Sequence, residues 1–163
     1  MINVQGDEPF IEPALIDELV TSLKNSDAVM VSAMHKIKAV KDLENPNVVK
    51  VTINNQKEAI YFSRSIIPHP RDELINLLKE CQKIPKTLTF FRHLGIYGYK
   101  RDFLQHYCQM EMGYLESVEK LEQLRVIENG YKIQMVETHY NSIGIDTQED
   151  YEKALEIVNQ AID

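Results

Sequence analysis

The sequence predicts a single α/β domain, residues 1–163, with a mixed and mostly parallel sheet. Its 163 residues are 44% apolar and 26% charged, which is the composition of a globular domain with a sizeable buried core. Short β-rich runs alternate with stretches of helical apolar spacing along most of the chain. No internal repeat or low-complexity stretch breaks this alternation.

The first half of the chain alternates strand and helix and then adds a hairpin. An extended run begins at Ile2 and stops at Gly6, and Pro9 blocks its continuation. Apolar side chains then recur at helical spacing, and later two β-rich runs flank a polar turn at residues 54–57. The predicted elements are a helix at 11–24, a strand at 28–34, a short helix at 39–44 and hairpin strands at 48–53 and 59–62.

The second half centres on one strong strand at residues 89–99. Its alternation places Arg92, Leu94, Ile96 and Gly98 on one face, and His93, Gly95, Tyr97 and Tyr99 on the other. A helix is predicted at 115–128, with the apolar stripe Leu115, Val118, Leu121, Leu124 and Ile127 and with Gly130 as its C-terminal cap. Further helices at 72–83, 101–110 and 148–162, and a strand at 133–136, complete the prediction.

The charge and cysteine content narrow the class of partner. The formal net charge is −7 and no basic run is present, which argues against a nucleic acid or a membrane surface as the main partner. No apolar run is long enough to cross a bilayer, and the N-terminus lacks the pattern of a signal peptide. Cys81 and Cys108 lack the spacing of a zinc site, so we expect reduced thiols in a cytoplasmic protein.

Two acidic residues are candidates for a metal site. Asp7 and Asp146 each follow a short apolar run at a predicted strand-to-helix junction, where ligands bind in open α/β sheets. Two carboxylates converging there would suit Mg²⁺, which takes oxygen ligands and shares them with substrate phosphates. Each has an ordinary alternative, because the residues around Asp7 form common turn chemistry and Asp146 could cap a helix.

Other polar side chains could bind an acidic ligand. Arg64 and Arg71 lie in a loop broken by prolines, where a guanidinium group could clamp a carboxylate or phosphate, or simply face solvent. His93 shares a strand face with Tyr97, and such a buried polar row needs partners from the protein or from a ligand. By contrast, Glu119, Glu122 and Gln123 read as the exposed side of a helix.

Several familiar catalytic patterns are missing from the sequence. Its six glycines form no Gly-rich phosphate loop, and no nucleophile elbow or Cys/His pair is present. Residue chemistry alone therefore indicates an α/β domain with a possible divalent-metal site for a sugar or nucleotide.

Taken together, six stretches resemble one family, the CMP-KDO synthetases or 3-deoxy-manno-octulosonate cytidylyltransferases, where KDO is the eight-carbon acid sugar. They occur in the family's order at residues 3–11 (NVQGDEPFI), 45–51 (NPNVVKV), 59–64 (AIYFSR), 92–99 (RHLGIYGY), 121–125 (LEQLR) and 144–150 (GIDTQED). The resemblance implies a Rossmann-like nucleotide-diphospho-sugar transferase sandwich and a homodimer.

The resemblance also implies a reaction and its residues. The anomeric hydroxyl of KDO attacks the α-phosphate of CTP, and diphosphate leaves with the assistance of Mg²⁺, in the pathway that supplies bacterial lipopolysaccharide. Asp7 and Asp146 correspond to the catalytic metal ligands, and Arg64 is the expected partner of the sugar carboxylate. The positions that match the family's sugar-acid contacts are Gln5, Arg64, His93, Tyr97, Glu122 and Gln123.

One family feature has no counterpart in this sequence, namely an N-terminal strand and basic, Gly-containing loop that hold CTP. We therefore expect an N-terminally truncated domain that binds nucleotide poorly, because clamping of the phosphates is much of what such an enzyme contributes. The edge of the strand at residues 2–5 would lie open, which predicts an oligomer or marginal stability. Two alternatives stay open: an inactive remnant that binds sugar acid or dimerises, and a cytidylyltransferase for another acidic sugar such as sialic acid.

Overall fold

A six-stranded sheet forms the centre of the computed structural model, which describes residues 1–6, 11–140, 151, 152 and 155. The strands are β1 (Ile2–Val4), β2 (Met30–Lys36), β3 (Lys50–Ile53), β4 (Ala59–Ser63), β5 (Phe91–Tyr99) and β6 (Ile133–Thr138). The helices are α1 (Pro13–Asn25), α2 (Val40–Glu44), α3 (Leu74–Glu80), α4 (Arg101–Tyr107), α5 (Tyr114–Glu119) and α6 (Leu124–Glu128). Most elements agree with the sequence prediction, although α3 and α4 are shorter than expected.

The sheet is mostly antiparallel, so the predicted mostly parallel sheet is wrong. The strand order is β4-β3-β5-β2-β6, with β1 paired to β5. Central strand β5 runs against β1, β2 and β3, and only β2 and β6 are parallel. Alternation of strands and helices in a sequence does not fix strand direction, because a helix inside a return loop gives the same pattern as a crossover helix.

Each face of the sheet has its own apolar core. Leu15, Leu19 and Leu23 of α1 pack on Leu94 and Ile96 of β5, together with residues of β2. On the other face, Tyr97 and Tyr99 of β5 pack with side chains of α4 and α6. The two faces of β5 therefore carry the residues that the alternation predicts. Gly98 lies on the α1 face, where a Cβ would be 2.5 Å from Val31 Cγ1 and 2.8 Å from Ile2 Cδ1, so neighbouring strands close over this glycine.

The β3–β4 hairpin leaves β5 and extends to β6. Strand β3 pairs with β5 only at Phe91 and Arg92. At the tip of the hairpin, the backbone N–H of Met135 donates to Lys57 O over 2.8 Å, and Lys132 Nζ lies 2.7 Å from Glu58 Oε1. Beyond the point where the hairpin diverges, β1 takes its place beside β5.

The predicted helix at 115–128 is two helices. Lys120 ends α5 in the left-handed conformation with φ of 56°, and α6 begins at Leu124. Val118 belonged to the predicted buried stripe but is 61% exposed. The apolar spacing predicted one continuous helix because Leu121 and Leu124, which follow the break, are also buried. Their positions keep the helical spacing in the sequence although the helix itself is interrupted.

The open edge expected for the first strand is present in the part of the chain that the structure describes. Strand β1 pairs with β5 alone, and Val4 is 43% exposed. Asp7 and Asp146 lie outside the described residues, and of the predicted final helix only Tyr151, Glu152 and Leu155 are described, in helical conformation. Among the described helices, none is long and apolar enough to cross a membrane.

Candidate functional site

One face of β5 carries a row of ring side chains. The His93 ring lies edge-on to Phe62, with ring centroids 5.0 Å apart, and 5.4 Å from the ring of Tyr97. Tyr97 in turn lies 6.2 Å from Tyr99. The row begins at the partly exposed His93 and continues into the core, as the strand pattern predicted.

Gln5 lies over this row because Gly95 has no side chain. A Cβ at Gly95 would be 2.7 Å from Gln5 Oε1, so the amide of Gln5 occupies the space above the strand between His93 and Tyr97. Strand β1 delivers Gln5 here, since Val4 pairs with Ile96. We did not predict this role for Gly95, although a glycine inside a strong strand is a known sign of close approach.

Gln123 contacts the row of rings at Tyr97. The Tyr97 hydroxyl donates to Gln123 Oε1 over 3.2 Å, and Gln123 is only 2% exposed. Its Nε2 is buried and has no hydrogen-bond partner among the described residues. An unpaired buried amide donor is costly, so this group is suited to an acceptor that a ligand brings. The expectation of an exposed Gln123 is therefore wrong.

His93 is neutral and bonded through one ring nitrogen. Burial, followed by the nearby Arg92 charge, lowers the pKa of His93 to about 3. Ser32 Oγ of β2 lies 2.8 Å from His93 Nε2. No described residue bonds to Nδ1, which leaves that nitrogen to other partners. Ser32 was missed because nothing in its local sequence marks it.

Arg64 is held by three bonds at the end of β4. Its backbone N–H donates to Glu119 Oε2 over 3.0 Å, its Nε donates to Glu119 O over 2.9 Å, and its Nη1 donates to Pro46 O over 3.0 Å. Ser63 Oγ also donates to Glu119 Oε1, over 2.6 Å. The alternative of a free, solvent-facing Arg64 is wrong, as is the expectation that Glu119 only forms a solvated face. Nη2 makes no hydrogen bond to the residues that the structure describes.

A buried lysine supports the same corner. Lys50 is fully buried, and its Nζ donates to Asn45 O over 3.0 Å, beside the Pro46 carbonyl that receives Arg64. Burial lowers the pKa of Lys50, while the Glu119 carboxylate opposes this shift. Lys50 therefore fixes the turn on which the Arg64 guanidinium rests.

The short turn between α5 and α6 connects Arg64 with the row of rings on β5. Glu119 ends α5 and holds Arg64, and Gln123 directly precedes α6 and holds Tyr97. We call Gln5, Arg64, His93, Tyr97 and Gln123 the β5 site. Phe62, two residues before Arg64, contacts His93 and links the two parts.

Glu122 lies beside the β5 site without a side-chain bond to any described residue. Desolvation and, next, the Glu116 charge raise the pKa of Glu122, while Arg125 acts in the opposite direction. The Glu122 backbone O accepts a bond from the Tyr107 hydroxyl over 3.2 Å. Burial and, next, the Glu122 charge raise the pKa of Tyr97, so the exposed Glu122 side chain lies near the site.

The metal prediction falls on residues that the structure does not describe. Within residues 1–6, 11–140, 151, 152 and 155, no group of three or more His, Cys, Asp or Glu side chains could hold a metal ion. In the sequence, Asp7 directly follows Gln5 and Gly6. Asp7 and Asp146 offer carboxylates, the donor class that Mg²⁺ prefers.

The chain is similar to known proteins along nearly its full length. A family model described as cytidylyltransferase matches residues 1–133. A 3-deoxy-manno-octulosonate cytidylyltransferase of Geotalea uraniireducens is 50% identical over 157 residues, which are 96% of this chain and 62% of the relative. One of Fusobacterium nucleatum is 44% identical over 161 residues, which are 98% of this chain and 61% of the relative.

A solved structure shares the fold. It is described as CMP:2-keto-3-deoxy-manno-octonic acid synthetase complexed with CTP, and it matches with a TM-score of 0.84 at 33% identity. The match covers 98% of this chain and 61% of that chain. This chain thus spans only 61% to 62% of the length of these three proteins.

Proposed function

Because this chain belongs to the cytidylyltransferase family, we propose that it forms the sugar-acid side of a 3-deoxy-manno-octulosonate cytidylyltransferase. The reaction joins CTP and KDO: the anomeric oxygen of KDO bonds to the α-phosphorus, and the bond from that phosphorus to diphosphate breaks. The observation that carries the proposal is the β5 site: Gln5 lies over Gly95 between His93 and Tyr97, Gln123 bonds to Tyr97, and Glu119 of the same turn holds Arg64.

The charges of the β5 site fit an acidic sugar. Arg64 has one guanidinium nitrogen without a partner among the described residues, and a guanidinium is the best side chain for a carboxylate. Gln123 Nε2 offers a buried donor, and Glu122 offers an acceptor for hydroxyl groups. A sugar with one carboxylate and several hydroxyls would satisfy all three groups.

We further propose that Asp7 and Asp146 hold Mg²⁺, which would neutralise charge on the phosphates of CTP when bound. The chain's own contribution to the reaction is positional, because it orients the sugar acid and excludes water from the buried row. The cytoplasm and the lipopolysaccharide pathway are the proposed setting.

A homodimer is also part of the proposal, and the open edge of β1 supports it. An uncovered strand edge with an exposed Val4 favours association with another copy. Thermal melts at several protein concentrations, together with a solution mass, test this. A midpoint that rises with concentration is expected, and a concentration-independent midpoint with a monomeric mass would contradict the dimer.

The functional test is binding of KDO by calorimetry, followed by a diphosphate-release assay with CTP, KDO and Mg²⁺. We expect KDO to bind more tightly than sialic acid, and any diphosphate release to disappear in Asp7→Asn. Binding is the primary measurement because the sequence has no Gly-rich phosphate loop. Failure of KDO to bind would refute the proposal, and tighter binding of sialic acid would change the substrate.

Gly95→Ala is expected to weaken KDO binding about tenfold, or ~1.4 kcal/mol, with little change in melting temperature. The new Cβ would displace the end of Gln5, a flexible side chain that can move without disturbing the strand. Calorimetry on Gly95→Ala, Gln5→Ala and the double variant measures the effect. If the loss arises through Gln5, Gly95→Ala has no further effect in the Gln5→Ala background. Additive losses would show that Gly95 acts otherwise.

A further inference from the structure

Ser32 lies at an irregularity in the pairing of β2 with β5. Ser32 pairs with Tyr97 and the next residue, Ala33, pairs with Leu94, so Gly95 and Ile96 have no opposite residue on β2. The fully buried Ser32 hydroxyl fills this bulge. Its Oγ lies 2.8 Å from Ile96 O, 3.3 Å from Leu94 O and 2.8 Å from His93 Nε2.

The proton positions in this group follow from its chemistry. A carbonyl oxygen only accepts, and a serine hydroxyl has a single proton to donate. The Ser32 hydroxyl therefore donates its hydrogen bond to the close Ile96 O, because two acceptor oxygens 2.8 Å apart with no proton between them would repel each other. The remaining contact requires that His93 Nε2 carries a proton and donates it to Ser32 Oγ.

We propose that Ser32 is a positioning residue that fixes His93 in the Nε2-protonated tautomer, so that the ring presents Nδ1 to a ligand only as a hydrogen-bond acceptor. A neutral imidazole has one protonated nitrogen, so fixing Nε2–H leaves a lone pair on Nδ1. The low pKa of His93 agrees with this, because the ring stays neutral near pH 7. No described residue uses the Nδ1 lone pair.

The consequence for specificity rests on the proposed function. The lone pair at Nδ1 accepts a hydrogen bond from a sugar hydroxyl and repels a carboxylate. Arg64, which can only donate, has the opposite preference. The two residues would therefore fix the direction of an acidic sugar, with its carboxylate at Arg64 and a hydroxyl at His93. A sugar bound in the reverse direction would place its carboxylate against the His93 Nδ1 lone pair, where two acceptors repel each other, and would leave Arg64 without a carboxylate.

The test is nitrogen NMR of the chain with ¹⁵N-labelled histidine. The chain has five histidines, and the spectrum of His93→Gln identifies the signals of His93. We expect His93 to show a protonated Nε2 and an unprotonated Nδ1 near pH 7. Ser32→Ala should shift both signals toward the averaged values of mixed tautomers, and Ser32→Thr, which keeps the hydroxyl, should restore them. A protonated Nδ1, or a Ser32→Ala spectrum like that of the parent, would overturn the proposal.

Titration with KDO separates this inference from the proposed function. On binding, the Nδ1 signal should move in the direction of an accepted hydrogen bond while Nε2 keeps its proton, and Ser32→Ala should weaken binding several-fold. Protonation of Nδ1 by the ligand would overturn the acceptor role. If the free chain shows the expected tautomer but KDO changes no signal, the tautomer stands and the proposed substrate is wrong.

Discussion

Arg125→Met is expected to lower the free energy of unfolding by about 3–5 kcal/mol, the usual cost of removing one partner of a buried ion pair. Arg125 donates from Nε to Glu116 Oε2 and from Nη2 to Glu116 Oε1, each over 2.6 Å, and from Nη1 to Met110 O over 3.1 Å. Its guanidinium also lies 5.0 Å from the centre of the Tyr107 ring. Glu116 is only 5% exposed, so without Arg125 its carboxylate would be buried and unpaired.

Urea unfolding of Arg125→Met, Glu116→Gln and the double variant measures this effect. The double variant should be more stable than Arg125→Met alone, because Glu116→Gln removes the unpaired charge. A loss below ~1 kcal/mol in Arg125→Met would show that solvent reaches Glu116 and that the pair contributes no more than a surface ion pair.

Arg64→Lys is expected to weaken KDO binding roughly 10- to 100-fold, which corresponds to the ~1.5–3 kcal/mol of a hydrogen bond to a charged group. Lysine keeps the positive charge but has no planar fork. It cannot reach the backbone carbonyls of Glu119 and Pro46 and still present a fixed donor to a carboxylate. The Arg64→Lys variant therefore separates the contribution of the positive charge to KDO binding from the contribution of the planar guanidinium group.

Calorimetry with KDO and a thermal melt on the same samples give the two readouts. Glu119→Gln is the matched control, because it keeps the backbone O that accepts from Arg64 Nε and replaces only the carboxylate. We expect a smaller loss of affinity in that variant. Unchanged affinity in Arg64→Lys would contradict the carboxylate assignment, and a loss that only accompanies unfolding would show a structural role instead.

The local elements were predictable, and the directions of the strands were not. The alternation along β5 correctly separates His93 and Tyr97 from Leu94 and Ile96, because side-chain direction in a strand depends only on neighbouring residues. Strand direction depends on the path of long connections, which local patterns do not record. The break at Lys120 was missed for a related reason, since the apolar stripe continues on both sides of it.

The candidate site was predictable only in part. The resemblance named Gln5, Arg64, His93, Tyr97, Glu122 and Gln123. In the structure Gln5 lies against Gly95, the His93 ring lies against Tyr97, and Tyr97 bonds to Gln123. Arg64 bonds to Glu119 and Pro46 instead of to another of these residues. The role of each toward a ligand stays a prediction. The supporting residues were missed because their contacts are distant in sequence: Ser32 and His93 are 61 residues apart, and Arg64 and Glu119 are 55 apart.

The turn between Glu119 and Gln123 also limits how this site can be engineered. At one end of that turn, Glu119 accepts a hydrogen bond from the Arg64 backbone just after β4. At the other end, Gln123 accepts one from the Tyr97 hydroxyl of β5. Grafting β5 alone onto another scaffold would transfer His93 and Tyr97. It would leave behind the side-chain amide of Gln123 and the guanidinium of Arg64. Four segments would have to be transferred together, namely the end of β1 with Gln5, the end of β4 with Arg64, β5 itself and the turn with Gln123. An insertion at Lys120 would separate the residue that holds Arg64 from the residue that holds Tyr97.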